Sequence, residues 1–107
     1  MEDTTSIVFG FIKFSGSVTD IRDLIRQAGF SPSEGDSHHV TVRDFEHILL
    51  REHTRTEYKI EADSDSSERL ISEMSVFTAA LSKVGVDSRY EIYDHQDEMV
   101  FQKDYTN

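Results

Sequence analysis

The chain has 107 residues and a net charge of −10, from 21 acids against 11 bases, with 36% hydrophobic and 10% aromatic residues and no cysteine. A chain of this length is expected to form one domain with an ordinary core, and its seven Phe and four Tyr separate it from disordered acidic chains. Without Cys there are no disulfides and no thiol chemistry.

The opening MEDTTSIVFG carries two acids and no basic stretch, so it is not expected to be a secretory signal. The longest apolar run, 7–12, is far short of the roughly 20 residues that cross a bilayer. SIVFGFIKFSG predicts a β-strand stopped by Gly16, with Ile7, Phe9 and Phe11 on one face and Val8, Ile12 and Phe14 on the other. Apolar residues on both faces predict a central strand covered, at least in part, on each side. Gly10 within it marks a bulge or a close contact. SVTDIRDLIRQAGF then predicts an amphipathic helix through Val18, Ile21, Leu24, Ile25 and Ala28, with Ser17 and Asp20 as a capping box and Gly29 as its end.

After the loop SPSEGDS, the segment 38–53 fits either a strand or a helix. Val42, Phe45, Ile48 and Leu49 have helical spacing behind Thr41, whereas Val40–Val42 and the later Tyr58, Ile60 and Ala62 alternate, with REHTRT as a turn between them. The Thr and β-branched content favours strands. SSERLISEMSVFTAALSKVG predicts a second helix, with Leu70, Met74, Phe77, Leu81 and Val84 forming one core-facing stripe ended by Gly85. DSRYEIYDHQDEMVFQKDY predicts a C-terminal hairpin turning at DHQD. This order implies an α+β fold: a mainly antiparallel sheet with two helices on one face, a ferredoxin-like variant with an extra C-terminal hairpin strand.

The stretch EADSDSSERL holds four acids in eight residues, Glu61 to Glu68. Asp63, Asp65 and Ser67 occupy the first, third and fifth spacings of a calcium loop, but Glu68 and Met74 stand where that loop needs Gly and a bidentate acid. Asp65 followed by Glu68 has capping-box spacing, which accounts for part of the run. The remainder reads as a surface. Residues 57–68 carry a net charge of −4 and residues 87–104 another −4, so two short segments hold −8 of the total −10. A sheet could bring them together at one end. Solubility is the competing explanation of the same charge.

Other constellations are weaker. The five His (His38, His39, His47, His53, His95) include neither an HExxH motif nor a pair on one helical face, so no metal site is expected. There is no GxSxG elbow, and FSGSVTD has a single Gly before a helix, too little for a phosphate loop. The expectation is therefore a protein without enzymatic activity and without a cofactor. Its negative surface repels nucleic-acid phosphates and anionic membranes and favours a basic protein partner.

SIVFGFIKFSG, the capped helix after it, and the later SKVGVDSRYEIYD resemble small immunity proteins of bacterial polymorphic-toxin and contact-dependent growth inhibition systems. The resemblance implies an inhibitor that binds one toxin domain in the cytoplasm, often acidic when the toxin is a basic nuclease; it transfers no functional residue. The residues expected to face such a partner are Glu57, Glu61, Asp63, Asp94, Asp97 and Glu98, with Tyr90, Tyr93 and Phe101 as aromatic anchors. A DNA-mimic inhibitor of a phage type shares this physics. A small-molecule or metal-responsive ferredoxin-like domain, or a small subunit of a larger assembly, remains a rival of another kind.

Overall fold

The computed structural model describes residues 4–35 and 37–106. Its elements follow in the order β1 (Ser6–Lys13), α1 (Val18–Gln27), β2 (His39–Thr41), β3 (Ile48–Thr54), β4 (Glu57–Ser64), α2 (Ser67–Lys83), β5 (Ser88–Tyr93) and β6 (Met99–Tyr105). All neighbouring strands are antiparallel, in the order β2-β3-β4-β1-β5-β6. The inner four, β3-β4-β1-β5, with α1 and α2 as crossovers, have ferredoxin-like connectivity. The additions are a strand at each edge: β6 from the expected C-terminal hairpin, and the three-residue β2.

The ambiguous segment is resolved as strands, with β3 running on to Thr54 through most of the stretch read as a turn. Helical spacing there loses to the ladder that β3 forms with β4, in which Leu50 opposes Ile60 and Ile48 opposes Ala62.

Both helices lie on one face. Val8 and Ile12 of β1, Leu50 of β3, Tyr58 and Ile60 of β4 and Ile92 of β5 point inward to meet Ile21 and Ile25 of α1 and Leu70, Met74, Phe77 and Leu81 of α2. The α2 stripe is fully buried except for Val84, which is half-buried. Phe77 sits between Phe30 and Phe45, with ring centroids 5.7 and 5.8 Å away.

Ser17 and Asp20 form the expected reciprocal capping box on α1. The cap of α2 is one residue later than the sequence suggests: Ser66, not Asp65, accepts from the Arg69 amide, at 3.2 Å. Gly29 and Gly85 follow the helices with φ of 96° and 87°, the left-handed conformation expected of them.

The opposite face of the sheet is open. Ile7 and Phe9 are 47% and 51% exposed there, with Phe11 half-buried beside them. β1 is therefore central but covered on one side only. The two-sided cover expected from its composition is absent, because the helices follow the strands on a single face and no other described element crosses the second.

Candidate functional site

Strand register decides what the acidic segments can do. Ile7, near the start of β1, pairs with Asp63 of β4 on one side and with Tyr93 of β5 on the other. At about 4.8 Å between strands, Asp63 and Tyr93 stand roughly 10 Å apart at the same end of the sheet. Immediately beyond Asp63 come exposed Asp65 and Glu68, at the entry to α2; immediately beyond Tyr93 comes the hairpin turn with Asp94, Asp97 and Glu98. Two runs separated by some thirty residues of chain thus meet at one acidic end.

The residues expected at a partner surface divide three ways. Asp63, Tyr93, Asp94, Asp97 and Glu98 lie at this end. Glu61 lies on the open face, held by Arg51 through Nε at 3.2 Å and Nη2 at 3.4 Å. Glu57 is at the far end of β4 opposite Lys13, six residues or roughly 20 Å from Asp63, and pairs with Arg89 at 3.4 Å. Tyr90 is not at the surface. Strand alternation turns it inward, where it is 2% exposed, and burial pushes its hydroxyl above the usual phenol range, with Thr78 and Ser75 opposing the shift. Phe101 is half-buried, its ring 6.0 Å from that of Tyr90, so it belongs with the core.

Several acids also have local structural work. Asp63 meets His47 Nδ1 at 2.5 Å. Asp94 Oδ1 accepts from the amides of Gln96 at 2.9 Å and Glu98 at 3.0 Å, and these bonds hold its carboxyl below the usual range. Asp97 takes φ of 59°, a left-handed position that Asp tolerates better than most residues. Tyr93 donates to the Glu91 carboxylate, which fixes its ring over the open face and raises its pKa. Asp65 and Glu98 make no side-chain hydrogen bond or ion pair among the described residues.

Beside the acidic end lies an apolar surface missed in the sequence. Ile7, Phe9, Met99 and Val100 are each at least 42% exposed. A register shift between Ile92 and Tyr93 sets Met99 opposite Tyr93, which pairs on its other side with Ile7. The signal was present: β4 and β5 alternate apolar with charged residues, and strands of that kind flanking β1 imply a solvated face. An open groove of about 350 Å³ runs between β1, β5 and β6, lined by Phe9, Phe11, Arg89, Glu91, Gln102 and Asp104 among others. Among the described residues no three His, Cys, Asp or Glu side chains stand close enough to share a metal ion, and no helix is long and apolar enough to cross a membrane.

Comparison with family models, with curated proteins and with solved structures finds no match.

Proposed function

We propose that this chain is a non-enzymatic inhibitor that binds a basic protein partner through its acidic end, acting as an immunity protein that neutralises a cationic nuclease toxin in the cytoplasm. The observation that carries this reading is the shared pairing of Asp63 and Tyr93 with Ile7, which concentrates Asp63, Asp65, Glu68, Asp94, Asp97 and Glu98 around one end of the sheet. Carboxylates grouped on a rigid strand-and-turn frame suit the cationic groove in which a nuclease holds substrate phosphates. Tyr93, ordered by its bond to Glu91, offers an aromatic contact at the centre of the charge. In this mechanism long-range attraction sets the rate of encounter, and exclusion of the nucleic acid from the groove is the inhibition.

The test is to sequence the neighbouring genes for a toxin with a nuclease domain and co-express that domain with this chain, followed by titration of purified nuclease with purified inhibitor. One-to-one loss of nuclease activity, weakened by salt, supports the reading. Full nuclease activity at an excess of inhibitor, at low salt, rejects it.

A further inference from the structure

The open face of the sheet goes beyond that reading, because its charge runs in rungs across the strands. One rung crosses all six: His39 pairs with Arg51, Arg51 with Lys59, Lys59 with Phe11, Phe11 with Arg89 and Arg89 with Asp104. Three of its six residues are cations, Arg51, Lys59 and Arg89; Arg51 and Arg89 also meet acids of their own chain, Glu61 and Glu57. Arg89 lies over the Phe11 ring at 5.2 Å. The next rung on the same face has the opposite sign. Glu91 pairs with Phe9, and the register that sets Ile7 against Asp63 and Phe11 against Lys59 puts Glu61 on the other side of Phe9. So a Lys59–Phe11–Arg89 rung lies beside a Glu61–Phe9–Glu91 rung.

We propose that this face packs against the same face of a second copy of the chain. A two-fold axis parallel to the rungs, passing between them, lays each cationic rung over the acidic rung of the other copy. The axis preserves strand order, so β1 crosses β1, β4 crosses β4 and β5 crosses β5. Lys59 then faces Glu61 of the second copy, Arg89 faces Glu91, and Phe11 faces Phe9, with every contact made twice, while one rung further out Asp63 faces Glu57. This is the self-complementarity that an isologous dimer requires. Sheets stacked in this way sit about 10 Å apart and are rotated about 30° by their twist, which these side chains can span.

The area is adequate. The six strands, of 8, 3, 7, 8, 6 and 7 residues at about 3.3 Å by 4.8 Å each, give a face of roughly 600 Å² per copy, at the lower end of the ~600–1,000 Å² per partner of stable interfaces. Ile7 and Phe9 of the central strand supply apolar surface that such an interface needs and that a monomer would leave in water. The two copies direct their acidic ends in opposite directions: Asp63 and Tyr93, level with Ile7, fall inside the interface, whereas Asp65, Glu68 and the hairpin acids Asp94, Asp97 and Glu98 lie beyond it.

The test is sedimentation equilibrium of the full chain across protein concentration and salt. A mass of two chains that falls towards one as salt rises is expected. Phe9→Glu, at an exposed position, should raise the dimer dissociation constant by at least about 30-fold with its circular dichroism unchanged, the scale of losing an interface hot spot. Charge reversal gives the decisive arm. The pair Lys59→Glu with Arg89→Glu makes both rungs acidic, and the pair Glu61→Lys with Glu91→Lys makes both cationic. Each variant alone should be monomeric, and an equimolar mixture should re-form a dimer. A native chain that stays monomeric at every concentration, including one that instead binds single-stranded RNA on this face, overturns the proposal. So does a mixture of the two reversed variants that fails to associate while each remains folded.

Discussion

Asp63 and Tyr93 oppose the same residue, Ile7, from the two sides of β1. That relationship makes one acidic surface out of two separate runs, and it identifies which acids report on binding. Glu61, Asp63, Asp94 and Asp97 are poor probes, since each holds a neighbour or shapes a turn. Asp65 and Glu98 are exposed at the same end. The triple variant Asp65→Lys, Asp97→Asn, Glu98→Lys keeps a residue that accepts the left-handed turn position and should fold as the native chain does. Its association with a cationic nuclease should slow by about an order of magnitude at low salt, and the difference should shrink as salt is raised. Glu57→Gln, at the opposite end, should leave that rate unchanged. Stopped-flow association at two salt concentrations checks both; equal rates for the native and triple-variant chains would assign the acidity to solubility alone.

Phe77 carries the packing of α2. Its side chain is fully buried and meets Phe30 and Phe45, so it joins the helix to the loops on either side of β2 as well as to the sheet. Phe77→Ala should cost about 3–5 kcal/mol, the scale of a large core truncation. The shift of the urea midpoint measures it, and a loss under about 1 kcal/mol would mean that the helix does not rest on this residue.

What could be read before the structure was mostly local. The α1 capping box, the α2 stripe and the DHQD turn each depend on residues within one or two turns of chain, and each is found where its pattern stands. The segment containing β3 was ambiguous because Phe45, Ile48 and Leu49 have helical spacing, and the competing information lay ten residues away in β4. The cap of α2 was misplaced because Asp65 and Ser66 are both competent caps and only backbone geometry separates them. For the site, charge count located the acidic segments but not their meeting, which depends on a register of β1 with two strands far along the chain. The open apolar face escaped for a related reason: a strand with apolar residues on both sides has one composition whether its second side meets a helix, another copy or water.

Two buried tyrosines should behave in opposite ways on losing their hydroxyls. Tyr58 donates to the Gly16 carbonyl at 2.9 Å, whereas the Tyr90 hydroxyl is buried near the Thr78 and Ser75 hydroxyls with neither in hydrogen-bond geometry, the Thr78 hydroxyl donating instead to the Met74 carbonyl at 2.7 Å. Tyr58→Phe should cost about 1 kcal/mol, and Tyr90→Phe should be neutral or stabilising, because it removes a polar group that the fold leaves unsatisfied. Both phenols are raised above the usual 10.0, chiefly by burial. Below that pH each phenol is neutral in folded and unfolded chains alike, and its contribution is fully present. As pH climbs past 10.0 the unfolded chain ionises first, so native stability should fall progressively. Tyr90→Phe should reduce that alkaline slope. Urea midpoints at neutral and alkaline pH test both claims; a Tyr90→Phe protein less stable than Tyr58→Phe would contradict them.

Gly10 fixes the spacing of the central strands. It pairs with Ile60 on one side and Tyr90 on the other, and its φ is not left-handed, so conformational freedom does not explain the glycine. Space does. A Cβ there would stand 2.5 Å from the Tyr90 Cβ and 2.7 Å from the Arg89 carbonyl oxygen. The second contact is with backbone, so no rotamer change of Tyr90 relieves it, and β5 would have to move away from β1. Gly10→Ala should therefore destabilise the fold by about 1–3 kcal/mol, the scale of overpacking a tight interior. Because Arg89 and Glu91 flank Tyr90 on the open face, the same movement should disturb both rungs there and weaken self-association. Amide hydrogen exchange localises the effect: protection should drop along the β1–β5 ladder while the β3–β4 ladder keeps its native value. Native stability in Gly10→Ala, with unchanged exchange between β1 and β5, would show that the strands have room for the methyl group and that something other than close approach selects glycine at this position.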